Sequence, residues 1–193
     1  MKIAFLRHGP TDWNAQGRIQ GHTDIPLSEK GLEKMRSLRA PVAAARVFVS
    51  PLLRARQTAQ AMALESQLLD DRLKEQHWGD WEGLSRAQIL ERDGKDAFIR
   101  AGLGALFCPP GGESTQALND RVASFLKDIA VEDGDAIAIA HLGVLRAAYT
   151  LATGWDMLTP MPKELDVSRA LILELDSQGS PSIATLNVAL IPV

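Results

Sequence analysis

Arg7 and His8 close an apolar run, Ile3-Ala4-Phe5-Leu6, and Gly9-Pro10 follows at once. A buried strand that ends on a guanidinium and an imidazole and then turns sets a cation and a nucleophile at the carboxyl edge of a sheet. Open α/β sheets hold their ligands at that edge. The pair suits attack on an anion, above all a phosphoryl group, whose oxygens an arginine matches two at a time. Two more basic positions share this placement. Arg54 follows the run Arg46–Ser50 and the turn Ser50-Pro51. His141 closes the run Asp135–Ala140 and leads into a helix whose first amides, at Leu142 and Gly143, can cradle oxygen atoms. If the three strands are neighbours, two arginines and two histidines meet in one crevice, around the charge that spreads over a phosphoryl group during transfer. The departing alcohol needs a proton. Glu75 is the leading donor, and Asp80 and Glu82 in Gly79-Asp80-Trp81-Glu82-Gly83 are its rivals.

The elements that must position these groups follow from periodicity and punctuation. Lys2–Leu6 reads as a strand buried on both faces, because it is apolar without alternation. Gly9–Pro26 reads as a long functional loop. Ser28 caps a helix with Leu32, Met35 and Leu38 on one face, running until Pro41. Arg46–Ser50 is a second strand, and Pro51 opens a helix to about Ala63. Leu73 to Gly83 is irregular, and Ser85 with Gln88 forms a capping box for the next helix. Residues 94–113, rich in Gly and Pro, read as an insertion with one short helix from Lys95 to Arg100. Leu118, Val122, Phe125, Leu126 and Ile129 mark the clearest amphipathic helix. Asp135–Ala140, Ala170–Leu175 and Ser182–Val188 add strands, and Gly143–Thr153 a helix. The alternation predicts a three-layer α/β/α sandwich with a mostly parallel central sheet, formed as a single domain over residues 1–193.

Composition narrows the function classes. A net charge of -3 and the absence of a basic stripe argue against nucleic-acid binding. The single Cys108 rules out an intrachain disulfide and reads as a half-buried small hydrophobe. No cysteine pair offers a zinc site, and no metal or organic cofactor is expected. The apolar stretch at 40–49 is interrupted by Arg46 and is far too short for a membrane span, so a cytoplasmic protein without membrane contact is expected. Arg18 reads as a loop cation near the mouth of the site, His22 and His77 as polar loop residues, and Arg146 as a core cation paired with a carboxylate.

In order along the chain, Leu6-Arg7-His8-Gly9, Thr11-x-Trp13-Asn14 and Gly21-His22-Thr23-Asp24-x-Pro26-Leu27 resemble the opening of the histidine phosphatase superfamily, the phosphoglycerate mutase-like proteins. Ser50-Pro51-Leu52-x-Arg54-Ala55-x-Gln57-Thr58-Ala59, Leu73-x-Glu75-x-x-x-Gly79-x-Trp81-Glu82-Gly83, Pro110-Gly111-Gly112-Glu113-Ser114 and Ala140-His141-x-Gly143-Val144-x-Arg146 resemble its later motifs, so the likeness spans residues 3–146. The resemblance implies a phosphoglycerate mutase-like fold, with His8 as the phosphorylated nucleophile and Arg7, Arg54 and His141 completing the phosphate pocket. It makes Glu75 the proton donor and acceptor and Asn14 an amide donor. Thr11, Gln20, Gly21, Trp78 and Leu142 fall at substrate-binding positions. Pro10 stands where the family usually has an acidic residue or Gln, and Leu142 where Gly is common; neither removes a catalytic group. The activity implied is hydrolysis of a small-molecule phosphomonoester, by a monomer or homodimer. A mutase of this kind carries extra basic residues before the last histidine, where residues 94–113 offer only Lys95 and Arg100. A non-catalytic phosphate-binding module would be expected to have lost one of the catalytic groups.

Overall fold

The computed structural model describes every residue except Ala45. Strand β1 (Lys2–Arg7) leads into a short helix α1 (Asp12–Ala15), then α2 (Glu29–Arg36), a two-residue strand β2 (Leu38–Arg39), β3 (Arg46–Val49), α3 (Leu53–Ala61) and β4 (Gln67–Leu69). The middle of the chain carries α4 (Arg86–Asp93), α5 (Ala97–Arg100) and the long α6 (Thr115–Ile129). After it come β5 (Ala136–Ala140), α7 (Leu142–Thr153), β6 (Ala170–Leu175), β7 (Pro181–Val188) and β8 (Ile191–Pro192). The main sheet has the order β4-β3-β5-β1-β6-β7. The first four strands in that order are mutually parallel; β6 adds antiparallel to β1's other side, and β7 antiparallel to β6. This is the expected three-layer architecture.

Alternation along the central strands explains the layering. Ile3 and Phe5 of β1, with Ala136, Ala138 and Ala140 of β5, face a core filled by Leu118, Val122 and Phe125 of α6 and Val144 and Ala148 of α7. Ala4 and Leu6, with Ile137 and Ile139, face Met35 of α2 and Ala55 and Ala59 of α3. A strand with helices on both faces has no polar side to show, which is why β1 is apolar between Lys2 and Arg7 and β5 along its whole length. A third, smaller cluster lies away from the sheet: Trp81, Ile89 and Ala97, joined by Trp78, Phe98 and Phe107. It gives the segment around α4 and α5 a core of its own beside the site.

Some expectations are corrected. The loop from Gly9 to Pro26 contains α1, stabilised by a capping box between Thr11 and Asn14. The helix from Ser28 stops at Arg36, and Leu38 enters β2, which pairs with β8. Cys108 is exposed. No helix among the described residues is long and apolar enough to cross a membrane.

Candidate active site

The hydrogen-bond ladder runs past the ends of the central strands and sets the site. The His8 amide donates to the Ala140 carbonyl, and the Ser50 amide to the Ile139 carbonyl, so His8, Ser50 and His141 lie side by side at the carboxyl edge of β1, β3 and β5. The His8 Nδ1 lies 2.7 Å from the Gly9 carbonyl oxygen. A carbonyl can only accept, so Nδ1 carries the proton and Nε2 keeps a lone pair. Burial lowers the His8 pKa to about 3, helped by the charges of Arg54 and Arg7 and opposed by the Gly9 hydrogen bond. His8 is therefore neutral at physiological pH, with one nitrogen fixed and the other bare.

His141 is fully buried, its ring 5.1 Å from that of His8. Its Nε2 is 2.7 Å from the Ser50 hydroxyl, and its Nδ1 accepts from Arg54 Nε at 3.3 Å. Burial, then the charge of Arg54, holds it well below the ordinary histidine pKa. Both ring nitrogens are thus taken by the protein, and His141 forms the floor under His8 and Arg54 rather than part of the cavity wall. The Arg54 guanidinium is further fixed by the carbonyls of Thr23 (3.0 Å) and Gly21 (2.7 Å). Arg7 has its Nε buried without a partner among the described residues.

Environment separates the three candidate carboxylates. Glu75 Oε1 accepts from the amides of Gln76 (2.8 Å) and Gly143 (2.9 Å). Burial raises its pKa despite those hydrogen bonds and the nearby Arg54 and Arg7. A side chain on Gly143 would push Glu75 Oε1 aside, and the Gly143 amide serves Glu75, not a phosphate oxygen. Glu82 is a structural hub: it accepts from the amides of His22 (2.8 Å), Thr23 (2.7 Å) and Trp78 (3.0 Å) and from the Thr23 hydroxyl (2.6 Å). Burial raises its pKa, but these bonds outweigh it and hold the carboxyl ionised below its ordinary range. Asp80 is exposed and lies outside the cavity that His8 lines.

That cavity measures about 170 Å³ and is lined by Arg7, His8, Arg54, Glu75, Asn14, Gln20, Gly21, Trp78 and Leu142, with Arg18 at its edge. Asn14 turns its carbonyl oxygen toward the Thr11 amide and hydroxyl, which leaves its NH₂ to the cavity. Thr11 itself is buried and caps α1, so it is not on the wall. Sequence reasoning missed the groups behind Glu75. The Glu75 carbonyl accepts from His22 Nε2 (2.8 Å) and Arg121 Nη2 (3.0 Å), and Arg121 is ion-paired with Glu113 at 2.6 Å. Arg121 lies on the polar side of α6, where nothing in its spacing distinguishes it from a solvated cation. Arg54 Nε–H, which can only donate, fixes the His141 tautomer with the proton on Nε2, and Ser50, whose hydroxyl accepts it, was visible only as a turn residue. Arg146 makes no ion pair among the described residues and lines the cavity instead. Among the described residues no cluster of three His, Cys, Asp or Glu side chains could hold a metal ion.

A cationic, glycine-lined pocket with one free imidazole nitrogen and a protonatable carboxyl, at the carboxyl edge of the parallel strands of an open α/β sheet, is the mark of a class of phosphoryl-handling proteins. Residues 3–189 match the model of the histidine phosphatase superfamily (branch 1), and the chain belongs to that family. It is 34% identical over 163 residues to phosphoglycerate mutase-like protein 4 of Arabidopsis thaliana, covering 78% of this chain and 70% of that one. It is 38% identical over 168 residues to a metal-independent phosphoserine phosphatase of the same plant, covering 79% and 68%. The solved structure of a mycobacterial glucosyl-3-phosphoglycerate phosphatase, in complex with VO3, superposes with a TM-score of 0.82 at 26% identity, covering 97% of this chain and 99% of the other.

Proposed function

We propose that this chain, acting as a single catalytic domain, hydrolyses a small phosphomonoester through a phosphohistidine at His8. The observation that carries the reading is the His8 imidazole: neutral, with Nδ1–H tied to the Gly9 carbonyl and Nε2 bare in a cavity lined by Arg7 and Arg54. In the first step the Nε2 lone pair forms the N–P bond, the P–O bond to the alcohol breaks, and Glu75 gives its proton to the departing oxygen. In the second, water attacks phosphorus, the N–P bond breaks, and the water's proton goes to Glu75. The guanidiniums of Arg7 and Arg54 and the Asn14 NH₂ hold the phosphoryl oxygens, Leu142 closes one side, and Gln20, Gly21 and Trp78 meet the alcohol. His141 keeps Arg54 and His8 in place. Relatives named as phosphatases support hydrolysis. So does the segment before His141: of its two basic residues, Arg100 is ion-paired with Asp96, and neither Arg100 nor Lys95 lines the cavity.

Acid lability and base stability mark a phosphoramidate. Enzyme quenched during turnover of p-nitrophenyl phosphate should carry one such phosphoryl group, mapped by mass spectrometry to His8. Steady release of phosphate with no adduct on His8 would overturn the covalent route. Isomerised ester in place of free phosphate would mark a mutase.

A further inference from the structure

A second cavity, about 260 Å³, opens beside the first and shares Gln76, Trp78, Gly143 and Arg146 with it. Glu75 and this shared wall both line the His8 cavity, so a phosphomonoester seated with phosphorus at His8 and its bridging oxygen toward Glu75 can direct its alcohol past that wall. The size lies close to the lower end of small-molecule pockets, roughly 300–1,000 Å³. Its remaining walls are mostly apolar and aromatic: Trp78, Phe98, Phe107, Leu103 and Met157. The aromatic walls belong to the small cluster around Trp81, so they are packed from behind and preformed.

Two guanidiniums interrupt this apolar lining. Arg146 lies one helical turn beyond Gly143 on α7, so the two share a face. Its Nε is buried without a hydrogen-bond partner, and its guanidinium stacks 5.4 Å over the Trp155 ring. Arg86, at the outer part of the cavity, stacks 4.1 Å over Phe98. Neither has a carboxylate partner among the described residues, whereas Arg46, Arg72, Arg92, Arg100, Arg121 and Arg169 each do. Arg86 is exposed, but burying part of the Arg146 guanidinium without a counter-ion is costly, and an anion supplied by the ligand would offset that cost. Stacked planar cations beside aromatic walls also fit a flat carboxylate-bearing body.

We infer that the alcohol half of the substrate is an apolar, preferably planar body carrying a carboxylate or similar anion, with the body held between Trp78, Phe98 and Phe107 and the anion read by Arg146. This substrate class rests on the phosphatase reading above, and the experiment separates the two. Phosphate release from 6-carboxy-2-naphthyl phosphate is compared with release from the matching 6-carbamoyl ester, in wild type and in Arg146→Gln. Wild type should prefer the carboxylate by about tenfold or more in kcat/KM, mainly through KM. In Arg146→Gln the loss on the carboxylate ester should exceed the loss on the carboxamide by about the same factor. Equal kcat/KM for the two esters in wild type, or equal losses in the variant, would overturn the inference and leave the phosphatase reading intact. The wild-type comparison decides alone if the variant does not fold. If no ester releases phosphate, the phosphatase reading fails, and calorimetric binding of 6-hydroxy-2-naphthoate decides the cavity's ligand class. Binding that weakens about tenfold with 6-hydroxy-2-naphthamide supports the inference, and equal binding or none overturns it.

Discussion

Chemistry and folding make opposite demands on Glu75. Burial raises its pKa, so the folded protein holds the proton more tightly than the unfolded chain does. Its contribution to stability is then full below the unfolded value and is lost as pH rises through the higher folded one. Glu75→Gln escapes that loss and should melt at an equal or higher temperature at pH 8, checked by calorimetry. The same variant should phosphorylate His8 rapidly from an aryl phosphate, giving a burst in rapid-quench assays, and then hydrolyse the adduct slowly. With an alkyl phosphate both steps need the carboxyl, and no burst should appear. A pattern of this kind in Glu82→Gln, with Glu75→Gln unaffected, would reassign the proton donor. His8 follows the reverse linkage: its pKa falls from 6.5 to about 3 on folding, so stability drops as pH falls through that window. His8→Asn should flatten that part of the melting-temperature profile. Gly143→Ala should fold, because the atom it meets is the end of a flexible side chain, yet displace Glu75 and cost more on alkyl than on aryl esters. His8, Arg7, Arg54 and Glu75 were legible in the sequence because strand ends and motif spacing pin their backbones. The directions of Thr11 and His141 were not, since these depend on which neighbour claims each polar atom. Nor does spacing alone distinguish a carboxyl whose pKa burial pushes up, like Glu75, from one whose pKa hydrogen bonds hold down, like Glu82.

Among the elements, the loop at 21–23 and the turn at Gly79–Trp81 meet on the Glu82 carboxylate, and the carbonyls of that loop grip Arg54. Gly21, at φ 52°, has its Cβ position filled by the Glu82 side chain, which leaves this joint little slack. Glu82→Gln replaces an acceptor oxygen with an amide facing other donors. The expected result is a melting temperature lower by roughly 3–10 °C and a loss of kcat/KM on every ester alike, because Arg54 loses its mount. Unchanged stability would show that Glu82 is dispensable to the loop. Long periodic elements were readable in advance: α6 buries the five apolar positions that marked it, and β5 and α7 fall within a residue of their expected bounds. The strands β2, β4 and β8 were not. They have two or three residues each, and β4 exposes Leu68 and Leu69, so their identity comes from the partner strand and not from any internal pattern.

For the whole molecule, the notable fact is that the site has no single owner. Arg7 comes from β1, Arg54 from the start of α3 and His141 from the end of β5, three pieces far apart in the chain whose strands lie side by side in the sheet. Two guanidiniums line the cavity proposed to take the phosphate and already supply positive charge there, so treatment with EDTA should leave turnover unchanged; activity restored only by added Mg²⁺ or Zn²⁺ would contradict this. Orthovanadate or inorganic phosphate should raise the melting temperature, by about 2.7 kcal/mol of stability at a hundred times the dissociation constant. Arg54→Lys, which cannot make the planar two-point contact, should lose most of that rise. An anion held between Arg7 of β1 and Arg54 of α3 joins two distant pieces of the chain, and so also ties catalysis to survival. Free phosphate, the expected product, would slow turnover and resist proteolysis through one and the same binding event. The inhibition constant from initial rates and the constant drawn from protease protection should therefore coincide, and an enzyme crowded by its own product would work less and last longer.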